Sequence, residues 1–215
     1  MNYRLVIGDK NLSSWSLRPW LAMRQAAIPF EEINIRLRQP ESKADILRYS
    51  PSGKVPLLLA GAEPVWDSLA IVEYLAEAHP EAHLWPAARE ARMLARSSAA
   101  EMHSGFAPLR DHCPMELLAR RPMASLPDPV AADVRRIIAL WRECRLRHGR
   151  QGPFLFGAFS AADAMYAPVA SRFRTYLPDL APYGDDGMAQ AYVDAIFALP
   201  AMAAWAEGAR RETGG

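Results

Sequence analysis

A chain of 215 residues with 51% hydrophobic side chains can bury one large core or two smaller ones. Its 25 Lys and Arg against 24 Asp and Glu leave a net charge of +1, a balance that argues against nucleic acid or an anionic membrane surface as partner. No stretch approaches the roughly 18 consecutive apolar residues of a membrane span and no basic-then-apolar leader opens the chain, so the expected location is the cytoplasm and the expected partners are small molecules or other proteins.

Taken in chain order, "YRLVI" at 3–7 predicts a short buried strand. Leu17, Trp20, Leu21 and Met23 then space out as an amphipathic helix over 16–27, with Ser16 near the N-cap and Pro19, which has no N–H to give, inside the first turn. In "EINIRL", Ile33, Ile35 and Leu37 alternate with Asn34 and Arg36 as a second strand. Two strands joined through one helix in so short a span imply parallel pairing by a right-handed crossover. A weak polar helix from Glu41 to Arg48 follows, then loop chemistry in "YSPSG", a buried strand "VPLLLA", a tight turn "GAEP" and a short antiparallel strand "VW". Leu69, Val72, Leu75 and Ala76 mark one face of a helix from Asp67 to Ala78, which His79-Pro80 ends. This first region reads βαβαββα.

Beyond about residue 86 the period of two does not return. "PAAREARMLARSSAAEMHSGFAPLR" predicts one long helix, "PVAADVRRIIALWRECRLR" a second and "SAADAMYAPVASRFRTYL" a third, opened by a capping-box variant in which Ser160 and Asp163 stand three apart. The segment "MAQAYVDAIFALPAMAAWAEGA" closes the chain. The fold class is therefore α/β followed by all-α, with an α/β domain at 1–80, a linker at 81–85 and an all-helical domain at 86–215. Cys113 and Cys144 carry no CxxC spacing and are expected to be inert. "HPEAH" sets His79 and His83 four apart, but Pro80 breaks the helix that would align them, so no metal site is expected.

Three short stretches gather polar groups where helices begin. Ser13 and Ser14 precede the first helix at its positive end, where hydroxyls and free backbone N–H groups converge on an anion; equally, serines there can simply cap and turn. Pro56 in "GKVP" opens a buried strand, where a cis bond would present the backbone of Val55 to a ligand. Asp67 and Ser68 stand where strand gives way to helix, so a carboxylate, a hydroxyl and free N–H groups meet, suiting a ligand with both an amine and a carboxylate.

"SSWSLRPW", "GKVPLLL" and "DSLAIVEYL", in this order, resemble the glutathione-binding domain of cytosolic glutathione transferases, and "GAFSAADAMYAPV" resembles that family's helical capping motif. The resemblance covers nearly the whole chain and implies a thioredoxin-like first domain, a helical second domain and a homodimer. Residue by residue, it implies that Ser13 or Ser14 contacts the glutathione sulfur, Ser13 aligning best. Val55, ahead of a cis Pro56, would pair with the cysteinyl backbone. Asp67 and Ser68 would hold the γ-glutamyl end, and Lys54 and Gln39 would reach toward the glycyl carboxylate. A second-substrate pocket between the domains is expected at Trp15, Met102, His103 and Phe106, although a helix bearing Met and aromatic residues also suits plain core. The zeta-like branch carries a cysteine directly after the serine pair, where this chain has Trp15, while Arg172 falls near that branch's substrate-binding arginine.

The implied chemistry is stabilisation of a thiolate. A thiol of ordinary pKa near 8.5 is only a few per cent ionised at neutral pH, and a hydroxyl donor plus a helix N-terminus can lower that pKa by about two, roughly 2.7 kcal/mol. The expected activity is glutathione transfer to a small electrophile. The alternatives are glutathione-dependent isomerisation of the maleylacetoacetate type and a non-catalytic transferase-like binding protein. A thioredoxin-type oxidoreductase does not fit, since no cysteine stands at the first helix's N-terminus.

Overall fold

The computed structural model describes residues 2–214. Four strands, β1 (Tyr3–Gly8), β2 (Glu31–Ile35), β3 (Leu57–Ala60) and β4 (Glu63–Val65), form one sheet in the order β2-β1-β3-β4. β1 and β2 run parallel with Val6 opposite Ile33, as the crossover requires, while β3 is antiparallel to both β1 and β4. The last hairpin is tighter than the sequence suggests: Glu63 and Pro64 belong to β4, and Gly61, at φ 67°, makes the turn that "GAEP" was expected to fill.

The alternation along β1 puts its two faces into two cores. Tyr3, Leu5 and Ile7 pack with α1 (Ser14–Gln25), α3 (Ser68–Ala78) and the helical region, while Val6 joins Ile35, Leu57, Leu59 and Ile46 of α2 (Ser42–Leu47) on the other side. Helix α1 starts two residues earlier than its apolar spacing implies. Ser13, not Ser16, is its N-cap, accepting the Ser16 N–H at 3.4 Å, and Pro19 therefore lies inside the helix. Ser16 is consequently free to turn inward, where its hydroxyl accepts the Gly8 N–H at 3.1 Å and ties α1 to the end of β1.

The helical region holds α4 (Arg89–Ser104), α5 (Ala107–His112), α6 (Asp128–His148), α7 (Ala161–Tyr176), α8 (Met188–Phe197) and α9 (Pro200–Thr213). The long helix expected from 86 onward is two helices. Gly105 closes α4, Phe106 takes φ 59°, and Pro108 cannot donate into a continuing ladder. The Arg110 guanidinium reaches back to the freed carbonyls of Met102 and His103, satisfying the end of α4. Buried α7 is the hub, with Tyr166 edge-on to Trp141 of α6 and Trp141 edge-on to Tyr192 of α8. At its start the Asp163 carboxylate accepts the Ser160 N–H at 2.8 Å and the Leu155 N–H at 3.0 Å, the expected back-reaching half of the capping box extended to a second loop. Both cysteines are buried, which pushes their thiols up, Cys144 to about 12. Among the described residues no helix is long and apolar enough to cross a membrane.

Candidate active site

A cleft of about 720 Å³ opens where the N-termini of α1 and α3 approach the loop before β3. Ser13, Ser14, Trp15, Lys54, Val55, Pro56, Trp66, Asp67 and Ser68 line it, so three segments far apart in sequence meet there. The Val55–Pro56 peptide is cis, and the Trp66–Asp67 peptide is cis as well.

At one end stands the serine turn. Ser13 Oγ donates to Ser16 Oγ at 2.7 Å, whereas Ser14 Oγ accepts from the Arg172 guanidinium at 3.5 Å, which leaves the Ser14 hydroxyl proton free. At the other end Asp67 caps α3, its Oδ1 accepting the N–H groups of Leu69 and Ala70 at 3.0 and 3.3 Å. Its Oδ2 lies 3.0 Å from His103 Nε2, an approach from α4 across the two regions. Ser68 is fully buried at the floor, where it accepts from Arg18 at 3.3 Å.

Three guanidinium groups underlie this turn. Arg18 is held down to about 9, first by burial and then by Arg110 and Arg172; Arg172 is held down to about 10, first by burial and then by Arg110. Both stay charged at neutral pH, so the floor is electropositive. Trp15 bridges the groups, with Arg18 4.1 Å and Arg110 5.1 Å from its ring centroid and His103 edge-on at 5.4 Å. His103 is pushed down mainly by burial; Asp67 draws it up, and Arg18 and Arg110 lower it further, so it is neutral at pH 7.

Gln39 stands apart. It borders a neighbouring depression with Asp9, Asn11 and Arg38, and its backbone N–H is engaged by Ser42 Oγ at 2.8 Å. Leu12 and Leu37 border both openings. Met102 and Phe106 are packed in the core, as helical Met and aromatic residues commonly are, and Arg172 is buried behind Ser14. Arg18 and Arg110 were not foreseen. The available signal for Arg18 was a charge placed inside the apolar face Leu17–Trp20–Leu21; for Arg110 there was none short of knowing where α4 ends.

Models of the glutathione S-transferase N-terminal and C-terminal domains match residues 12–78 and 86–208. The chain belongs to the glutathione S-transferase family. A probable maleylacetoacetate isomerase of Caenorhabditis elegans is 32% identical over 108 residues, 50% of this chain and 50% of that one. A maleylpyruvate isomerase of Ralstonia sp is 27% identical over 185 residues, covering 80% of this chain and 83% of that one. The aligned part spans about half the length of the first of these relatives and of a zeta-class transferase of Euphorbia esula. A solved glutathione transferase homolog from Burkholderia gl BGR1, with bound glutathione, shares the fold with a TM-score of 0.71 at 20% identity, covering 98% of this chain and 99% of that one.

Proposed function

We propose that this protein is a glutathione transferase that ionises the glutathione thiol for attack on a small electrophile. The observation that carries the reading is the meeting of the Ser13–Ser14 turn, Val55 and the Asp67-Ser68 cap in one cleft above a buried positive floor. In this reading Asp67 receives the γ-glutamyl amine, and Ser68, its oxygen already engaged by Arg18, donates its proton to the γ-glutamyl carboxylate. Val55 pairs with the cysteinyl backbone and exposed Lys54 attracts the glycyl carboxylate. Ser13 is the sulfur's donor once its bond to Ser16 reverses, and Ser16, fixed by Gly8, then donates to Ser13. Gln39 joins the glycyl end only if the tripeptide reaches past Leu37.

The electrophile is proposed to approach from the side of Trp15 and His103. The chemistry needs no covalent serine: the hydroxyl and the helix end stabilise sulfur as an anion, and the electrophile takes the electron pair. Family membership further supports a homodimer, to which exposed Trp66 and Met93, 45% and 61% accessible, would contribute apolar surface, and a cytoplasmic role in detoxification. Calorimetry with glutathione, followed by its conjugation to an aryl halide, tests the reading; absence of glutathione binding removes it, and binding without turnover leaves a carrier protein.

A second reading, isomerisation, is favoured by Arg172 beside Ser14 and by the isomerase names of two relatives. Turnover of maleylacetoacetate or maleylpyruvate with no net consumption of glutathione would select it.

A further inference from the structure

The loop that delivers the serine turn is held from outside by the helical region. Between β1 and α1, Asp9 accepts the Leu37 N–H at 2.7 Å. Lys10 is tied to α9 at both backbone atoms: its N–H donates to Glu212 Oε2 at 2.8 Å, and its carbonyl accepts the Trp205 indole N–H at 2.8 Å. The Lys10 ammonium, only 8% exposed, lies between Glu32 and Glu212 and 5.4 Å from the Trp205 ring centroid. Asn11 takes the N–H groups of Leu117 and Leu118, from the connector after α5, at 3.1 and 3.0 Å. Ser13 follows two residues later, its own N–H bonded to the Asp9 carbonyl at 2.8 Å.

A glycine inside α9 agrees with this arrangement. A Cβ at Gly208 would stand 2.5 Å from Lys10 Cδ, so a residue that weakens the helix intrinsically also makes room for the buried lysine stem. The Trp205 ring is itself fully buried and edge-on to Trp20 of α1 at 4.9 Å, so α9 grips both the loop and the helix it feeds.

We propose that α9, through Trp205 and Glu212 acting on Lys10, is the positioning element that aims the Ser13–Ser14 hydroxyls into the cleft. This rests on the reading that the serine turn stabilises the glutathione thiolate. None of the three residues lines the cleft, so they act on sulfur through the loop. Hydrogen bonding is directional, and a small rotation of the loop spoils a hydroxyl donor to sulfur before it affects the tripeptide's remaining contacts.

The test compares Trp205→Phe, which keeps a ring but loses the N–H, and Glu212→Gln, which keeps the shape but loses the charge, with the Ser13→Ala/Ser14→Ala double variant. Thiolate absorbance of bound glutathione is titrated against pH, and affinity for S-methylglutathione, which has no thiol, is measured beside it. The expected result for Trp205→Phe and Glu212→Gln is a titration midpoint raised by about half to one pH unit, with turnover at neutral pH lower by about 1.5- to threefold and recovering in alkali. S-methylglutathione affinity should stay within about twofold. If Trp205→Phe does not fold, Glu212→Gln carries the test. A wild-type midpoint in the single variants beside a raised one in the double variant overturns the proposal and leaves α9 a purely structural strut. A wild-type midpoint in the double variant overturns the serine reading itself.

Discussion

The α/β region and the helical region both reach the cleft, but they bring different chemistry to it. From the α/β side come short-range groups fixed by their own segments: the N-cap Ser13, the N-cap Asp67 and the backbone beside Pro56. From the helical side come ionisable groups delivered over long sequence distances: Arg172 to Ser14, His103 to Asp67 and Arg110 to the Trp15 ring. In the proposed reading the first set determines where a tripeptide lies. The second set, together with Arg18 of α1, sets the field it lies in, because buried cations act in a medium where charge is poorly screened.

The sharpest way to break this division is to remove a donor on the α/β side and see whether the field alone suffices. Ser13→Ala should lower conjugation at neutral pH by about one to two orders of magnitude, since a hydrogen bond to a charged partner is worth roughly 1.5–3 kcal/mol. The deficit should shrink as pH rises, because the thiol then ionises unaided. Ser14→Ala should do less. A larger loss in Ser14→Ala would hand the sulfur to the hydroxyl that Arg172 polarises, and the helical region would then share in thiol activation directly.

That division also explains what could be read in advance. The strands, the parallel crossover, the α3 cap and the Ser160–Asp163 cap rest on neighbours within a few residues, and local pattern carries them. The N-cap of α1, expected at Ser16, lies three positions earlier at Ser13, because apolar spacing locates a helix face better than its first turn. The break at Gly105-Phe106 was harder, since "EMHSGFAPLR" stays rich in helix formers and only Gly105 and Pro108 warn of it locally. With that break goes Arg110, whose place depends on the exposed carbonyls at the end of α4. Arg18 sits on an otherwise apolar face, and while Trp15 is its neighbour one turn back, nothing local says that its acceptor is Ser68.

A smaller effect is expected at the floor. Ser68→Ala removes a hydroxyl that faces Arg18 and leaves that buried guanidinium short of an acceptor. Glutathione affinity should fall by about tenfold in calorimetry while the far-ultraviolet spectrum keeps its helical signature. An unchanged dissociation constant would detach Ser68 from the ligand and leave Asp67 alone at the α3 end.

The smallest effect belongs to the titratable pair through which the two regions touch at the cleft, Asp67 and His103. His103 is neutral at pH 7 because burial and the nearby Arg18 and Arg110 outweigh the pull of Asp67. Since its folded-state pKa lies below the ordinary value, the folded protein resists protonating it, so stability from this group is present in neutral solution and is lost as pH falls through the lowered pKa. Once charged, the imidazolium competes with the γ-glutamyl ammonium for the Asp67 carboxylate. Glutathione affinity should therefore weaken in acid by about threefold beyond the weakening that His103→Asn shows over the same range, the modest size reflecting a carboxylate side chain that is 52% exposed. Calorimetry on both proteins between pH 5 and 8 reads the difference. Parallel curves would mean that the helical region leaves the amine end alone and acts on the cleft only through its arginines.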